Sequence, residues 1–262
     1  MREVLLSPMQ NQLKRKLDSE NTYFGLWNAI PDTYVAEICA GAGYDWVVID
    51  AEHAPFDERT ILLQLQAMAA YSDTSVLVRP PSGNPVFLKK MLDYGVQSFL
   101  IPMTETREQA EEMVRAVNYP PKGIRGVAPT MARASRWGTV DNYAREANDE
   151  ICLILQIESK TGIENLEDIC KVQGVDGLFI GPSDLAASFG YLGNTDHPEI
   201  EQIIREALST IRKHNKTAGI LALKEKEVQS YREQGANFIG IGVDLLMFAS
   251  QVRGTIGKYR PS

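Results

Sequence analysis

The chain has 262 residues, of which 44% are hydrophobic and 23% charged, with a formal net charge of -7. Its longest basic run is Lys14-Arg15-Lys16, too little for the basic face a nucleic-acid partner needs. No stretch approaches the roughly 18 consecutive apolar residues of a membrane span. The length suits one α/β barrel with a large core. The opening segment, Met1 to Pro8, has no apolar run long enough for a secretory signal. Cys39, Cys152 and Cys170 are odd in number and widely spaced, and two lie in apolar segments. They read as reduced core thiols of a cytoplasmic protein, not as a disulfide frame or a zinc site.

In chain order, Asn11 to Leu17 is predicted to be a helix that closes the bottom of the fold. Short apolar runs then recur, each ending at polar, Gly or Pro punctuation. They are Phe24 to Trp27, Trp46 to Asp50, Ser75 to Arg79, Ser98 to Pro102, Cys152 to Glu158, Gly177 to Gly181, Ala218 to Leu221 and Phe238 to Gly242. Continuous apolar runs of this length suit strands buried on both faces, as in a parallel sheet. Between them, Asp57 to Ala70, Glu105 to Val117, Ile200 to Ile211 and Glu225 to Gln234 carry apolar residues at helical spacing. Eight strand–helix alternations without a Pro/Ser-rich linker predict a single-domain (β/α)8 TIM barrel spanning 1–262. The interval between the fourth and fifth runs is too long for one helix. Tyr119 to about Trp137, with Arg125, Arg133 and Arg136, reads as a long excursion that covers the active site, packs at a subunit interface, or does both, its arginines mostly structural. Phe179-Ile180-Gly181 and Phe238-Ile239-Gly240 echo each other without forming a repeat.

In such a barrel the residues at the C-terminal ends of the strands face the active site. The polar residues closing the runs therefore converge: Asp50, Glu52 and His53; Arg79; Gln156 and Glu158; Gly181 to Asp184. Glu158 and Asp184 end neighbouring strands. They read either as a hard oxygen site for a divalent cation, or as ordinary salt-bridge and cap residues, with Asp184 an N-cap to Leu185. Arg79 reads as an anion holder or as an ion pair with a neighbouring strand end. His53 lies three residues from Asp50, whose carboxylate is expected to orient the ring for acid–base work; the alternative is a helix-entry histidine without chemistry. His197 reads as a loop residue and His214 as a solvated helix end. Backbone N–H groups where Gly181-Pro182-Ser183-Asp184 opens a helix suit a substrate carboxylate. A Schiff-base lysine is the rival chemistry, with Lys160 and Lys224 as candidates, but the sixth strand carries no lysine at its centre.

Several of these stretches resemble the signatures of the HpcH/HpaI aldolase family. They are Asp50-Ala51-Glu52-His53-Ala54-Pro55, Tyr119-Pro120-Pro121-Lys122-Gly123-Ile124-Arg125-Gly126, Ala132-Arg133-Ala134-Ser135-Arg136-Trp137, Gln156-Ile157-Glu158-Ser159 and Phe179-Ile180-Gly181-Pro182-Ser183-Asp184-Leu185. The resemblance runs from about Gly25 to Val243. It implies a barrel enzyme, often a hexamer of dimers that exchange a C-terminal helix. It also implies a class II mechanism with Mg2+, Mn2+ or Co2+ and no Schiff base. On this likeness Glu158 and Asp184 are metal ligands, Arg79 stabilises an enolate, and His53 is the acid/base supported by Asp50. Gln156 faces the substrate, Gly181, Pro182 and Ser183 line the pyruvate carboxylate, and Asp93 orders the pocket from a neighbouring chain or helix. The implied reaction is reversible cleavage of 4-hydroxy-2-oxo acids, such as 4-hydroxy-2-oxoheptanedioate of aromatic-compound catabolism, to pyruvate and an aldehyde through an enolate. A 2-dehydro-3-deoxy sugar-acid aldolase of glucarate or rhamnonate type is the alternative. A non-catalytic barrel that binds a small acid is a third reading, and oxaloacetate decarboxylation a side reaction.

Overall fold

In the computed structural model, which describes residues 10–17 and 21–260, eight parallel strands close into a barrel in chain order, β8 pairing back onto β1. The strands are β1 Tyr23–Asn28, β2 Trp46–Asp50, β3 Ser75–Arg79, β4 Ser98–Ile101, β5 Cys152–Ile157, β6 Gly177–Ile180, β7 Thr217–Leu221 and β8 Phe238–Val243. The helices are α1 Gln12–Leu17, α2 Thr33–Ala40, α3 Glu58–Met68, α4 Pro85–Tyr94, α5 Arg107–Val117, α6 Tyr143–Glu146, α7 Lys160–Glu164, α8 Leu166–Cys170, α9 Pro182–Ser188, α10 Pro198–Lys213, α11 Glu225–Glu233 and α12 Asp244–Gly257. The expected (β/α)8 barrel is the observed one. The Met1 to Pro8 segment lies outside the described residues.

Periodicity did not single out α2 and α4, and local capping explains both. The Asp32 carboxylate accepts the Tyr34 and Val35 N–H groups, and Asn84 accepts those of Val86 and Phe87 ahead of a Pro at the first helical position. Gly95, at φ 102°, ends α4 in the left-handed conformation.

Two apolar layers hold the barrel. The outer one lies between strands and helices and includes Val47, Ile49, Val78, Leu153, Leu155 and Ile220. The inner one fills the barrel with Trp27, Trp46, Phe179 and Phe238. Trp46 stacks on Phe238 at 4.1 Å between centroids, and Trp27 leans on Phe179 at 5.4 Å. The Phe-Ile-Gly echo has its explanation here, since both phenylalanines occupy this interior. Gly25 is required by the same packing, because a Cβ there would enter the Trp46 indole.

Helix α1 closes the bottom as expected. Leu13 is wholly buried in the inner layer, and the Asn11 amide donates to Gln97 O, Ser98 Oγ and Glu150 O at 3.0–3.2 Å. The excursion after α5 joins the bottom end of that helix to the start of β5. It therefore lies at the end opposite this chain's own mouth, which corrects the reading of it as a cover for that mouth. Arg125 is built into it as a fully buried side chain, 4.1 Å over the Tyr119 ring and bonded to Asp93 and the Tyr143 hydroxyl at 3.3 and 3.1 Å. Arg133 donates to Tyr94 O at 2.6 Å. All three cysteines are buried and free. Among the described residues no helix is long and apolar enough to cross a membrane.

Candidate active site

The parallel register brings the site together. Asp50 and Arg79 are partners at the ends of β2 and β3, and Gln156 pairs with Phe179 so that Glu158 emerges beside Gly181. Arg79 is only 8% exposed. Its Nε and Nη2 donate to the two Asp50 oxygens at 2.9 and 2.7 Å, in the bidentate fork that suits a carboxylate. Its Nη1 lies 3.0 Å from Glu52 Oε2, and its guanidinium sits 5.7 Å from the Trp27 ring on the barrel floor. Arg79 is thus both at the mouth and in an ion pair with the neighbouring strand end.

Asp50 does not orient His53 through its ring. It accepts the backbone N–H of His53 at 3.3 Å, and its carboxylate is taken up by Arg79. The acidic group nearest the imidazole is Glu52, with Oε2 3.7 Å from Nε2. The His53 side chain is 65% exposed at the rim. Glu52 closes the same apolar run as Asp50, and only its place between Arg79 and His53 distinguishes it.

Glu158 is 3% exposed. Its Oε1 accepts the Met103 N–H at 2.9 Å, and its Oε2 accepts the Gln156 amide. Met103 holds that N–H in place from a left-handed backbone, φ 51°, an uncommon conformation for a residue with a side chain. Burial pushes the Glu158 carboxyl up to about 7, with the charges of Glu52 and Asp184 adding to the rise and the Met103 and Gln156 hydrogen bonds opposing it. Burial likewise raises Glu52, against the pull of Arg79 and His53. Asp184 sits in the first turn of α9, whose N-cap is Gly181, so it is not the cap of that helix. Its carboxylate makes no hydrogen bond or ion pair with the described residues.

These residues fit a divalent cation. The buried Glu158 carboxyl is raised further by the charges of Glu52 and Asp184, and the buried Gln156 Oε1 accepts no hydrogen bond from the described residues; no three acidic, histidine or cysteine side chains among the described residues form a ligand cluster, so two carboxylates with Gln156, water and substrate would complete the shell. Gly181 keeps the cradle open, since a Cβ there would stand 2.9 Å from Gln156 Nε2 and closer still to Glu158 Oε2. Pro182 and Ser183 follow as the first residues of α9, where Ser183 and Asp184 have N–H groups without helical partners.

The remaining candidates lie elsewhere. Asp93, near the bottom end of α4, pairs with Arg125 and does not order this chain's own mouth. Lys224 is held by Asp196 and Glu227 at 3.4 and 2.7 Å, and Lys160 opens α7 at the surface. His197 caps α10 by accepting the Glu199 N–H, and His214 ends that helix.

A family model described as HpcH/HpaI aldolase/citrate lyase matches residues 23–250. The chain is 49% identical over 255 residues to a hydroxypyruvate/pyruvate aldolase of Deinococcus radiodurans, covering 97% of this chain and 92% of that one. It is 44% identical over 251 residues to a 4-hydroxy-2-oxo-heptane-1,7-dioate aldolase of Escherichia coli, covering 96% and 95%. The crystal structure of a protein of the same family from Burkholderia cenocepacia J2315 superposes with a TM-score of 0.92 at 36% identity, covering 96% of this chain and all of that one.

Proposed function

The chain belongs to the HpcH/HpaI aldolase/citrate lyase family and is a carbon–carbon lyase, and from that premise we propose that it cleaves 4-hydroxy-2-oxo acids reversibly to pyruvate and an aldehyde with a divalent cation. The observation that carries the reading is the buried Glu158, within reach of the charges of Glu52 and Asp184 and bonded to Gln156, whose own oxygen has no partner among the described residues. Glu158 and Asp184, with Gln156 beside them, would hold Mg2+, Mn2+ or Co2+. Bound there, such a cation supplies Lewis-acid stabilisation of negative charge on a 2-oxo acid.

The protein's own groups account for the rest. Arg79, fixed by Asp50, sets a planar positive group where an enolate oxygen gains charge as the C3–C4 bond breaks. The N–H groups of Ser183 and Asp184, beside the narrow Gly181 cradle, suit a substrate carboxylate. His53 stands at the open rim, where it takes the C4 hydroxyl proton as the bond pair moves to C3. Protonation at C3 then gives pyruvate, and in the synthetic direction His53 returns its proton to the new alkoxide.

The same reading covers assembly. The apolar side chains of α12 face solvent, Phe248 at 63% exposure, while Phe24, Leu223, Val228 and Ile241 line an open groove of about 370 Å3 on the outer wall. Both fit exchange of α12 between two copies, and a hexamer of three such pairs, in which Asp93 serves a neighbouring chain's pocket.

The test follows pyruvate with lactate dehydrogenase during incubation with 4-hydroxy-2-oxoheptanedioate, as isolated, after EDTA, and with Mg2+, Mn2+ or Co2+ restored. Loss to the chelator and recovery with metal is the expected result. Activity that survives chelation overturns the cation reading and directs borohydride trapping to Lys160. A metal-restored enzyme that ignores this substrate but cleaves a 2-dehydro-3-deoxy sugar acid moves the assignment to the sugar-acid branch.

A further inference from the structure

The loop that leaves β4 is stitched to the end of β5 beyond their last ladder pair, Ile101 with Leu155. Thr104 N donates to Gln156 O at 3.0 Å, Ser159 Oγ to Glu105 Oε1 at 2.6 Å, and Asn165 Nδ2 to Glu105 O at 2.9 Å. Met103 adds one more bond, from its N–H to Glu158 Oε1 at 2.9 Å. Along an extended strand successive N–H groups point to opposite sides, so those of Met103 and Thr104 would not both face β5. The left-handed backbone at Met103, φ 51°, turns both the same way. Among the described residues other than glycine that have positive φ, only Met103 lies at the mouth; Arg136, Trp137 and Asn142 belong to the excursion, and Asn215 precedes β7. The Met103 side chain is 51% exposed, so its packing does not compel the turn.

We propose that Met103 is a positioning residue that acts through its backbone: the left-handed turn aims its N–H at Glu158 and fixes that carboxylate for a cation. The inference rests on the cation reading for its chemistry. A carboxylate offers about four acceptor positions. The Met103 N–H takes one on Oε1 and the Gln156 amide takes one on Oε2. The carboxylate plane is therefore pinned through both oxygens, while each oxygen keeps a further position. A ligand held this way is already ordered before it meets a cation, and loss of such a partner weakens metal sites. A sparsely populated backbone conformation persists where its surroundings over-determine it. The bonds of Thr104 and Glu105 do so here. They join the loop to β5 and α7 without help from Met103, so the bond that the strained turn adds serves Glu158.

The experiment sets backbone preference against side-chain likeness in the full-length protein. Gly enters the left-handed region freely, Asn tolerates it, and β-branched Val resists it. Electron paramagnetic resonance counts free Mn2+ during a titration without substrate. Met103→Gly and Met103→Asn are expected to keep the Mn2+ Kd within about threefold of wild type, and Met103→Val to raise it at least about tenfold. In the pyruvate assay kcat/KM is expected to follow the same order. The reverse order assigns the role to the side chain and overturns the proposal, as does equal affinity in all the variants. The Gly arm stands by itself if Met103→Val does not fold: weakened Mn2+ binding in Met103→Gly overturns the proposal. A second measurement needs no metal. In EDTA at pH 8, urea midpoints of Met103→Val, Glu158→Ala and the double variant form a cycle, and the cost of Val is expected to shrink once Glu158 is gone. Additive costs overturn the proposal. A wild-type protein that binds no Mn2+ overturns the cation reading alone, and the cycle still decides whether Met103 holds Glu158.

Discussion

At the scale of single residues, Glu158 links the site to stability. Its carboxyl rises from 4.5 to about 7 because folding buries it among other acids. Between those values the folded, metal-free protein holds a proton that the unfolded chain has released. The stability is therefore present at low pH and is lost as pH climbs through about 7, by on the order of 3 kcal/mol. In EDTA, Glu158→Gln should accordingly be more stable than wild type at pH 8 and nearly equal to it at pH 5. Urea denaturation at the two pH values measures this, and an equal difference at both would refute the account. Added Mn2+ should raise the melting temperature of wild type at pH 8 and leave the variant where it was. Gly181→Ala tests the cradle. The backbone there, φ -96° and ψ 95°, suits any residue, so the cost is a Cβ pressed against Gln156 and Glu158. The Mn2+-induced thermal shift should vanish, with cleavage reduced about a hundredfold. A variant that binds Mn2+ normally would show that the space beside Glu158 is not used.

Between elements, the weak point of any barrel is the seam where the last strand meets the first. Here Asp244, the first residue of α12, spans that seam. Its carboxylate accepts the Asn28 amide at 2.8 Å and the N–H groups of Ala29, Ile30 and Leu245 at 2.6–3.2 Å, and it is 6% exposed. The Gln64 amide donates to Ile30 O at 3.3 Å from α3, so the β1 end of the mouth is tied from two sides. Asp244→Ala leaves several buried donors unpaired and should cost on the order of 3 kcal/mol. The urea midpoint measures it, and a loss below the usual surface range would mean that the seam is held by strand pairing alone. The importance of Asp244 could not be read from the chain. It looks like one more acidic residue after an apolar run, and its partners on the β1 side lie more than two hundred positions away.

On the scale of the whole molecule, α12 is the feature a lone barrel does not explain. Leu245, Leu246, Met247, Phe248, Val252 and Ile256 are all about half exposed or more, on every side of the helix. Apolar exposure of that extent marks an interaction surface. If α12 seats in the groove of a second copy, Phe248→Glu should disperse the assembly at micromolar concentration. Sedimentation velocity distinguishes the cases: an unchanged oligomer, or a wild type that already sediments as a monomer, removes α12 from any interface.

What the sequence determined by itself was whatever is local in the chain. Each apolar run carries its own strand, and each polar residue that closes a run is carried to the same end of the barrel. The barrel and the membership of Arg79, Gln156, Glu158 and Gly181 in one mouth were legible for that reason. Tertiary structure alone decided which charge faces which. Whether Asp50 or Glu52 meets His53, why Glu158 rises toward 7, why Asp93 turns to Arg125, and why the Tyr119–Trp137 excursion lies at the bottom all depend on barrel closure. Closure sets distances of a few ångströms between residues far apart in sequence. Coulomb and hydrogen-bond energies change over those few ångströms, and no periodicity along the chain encodes them.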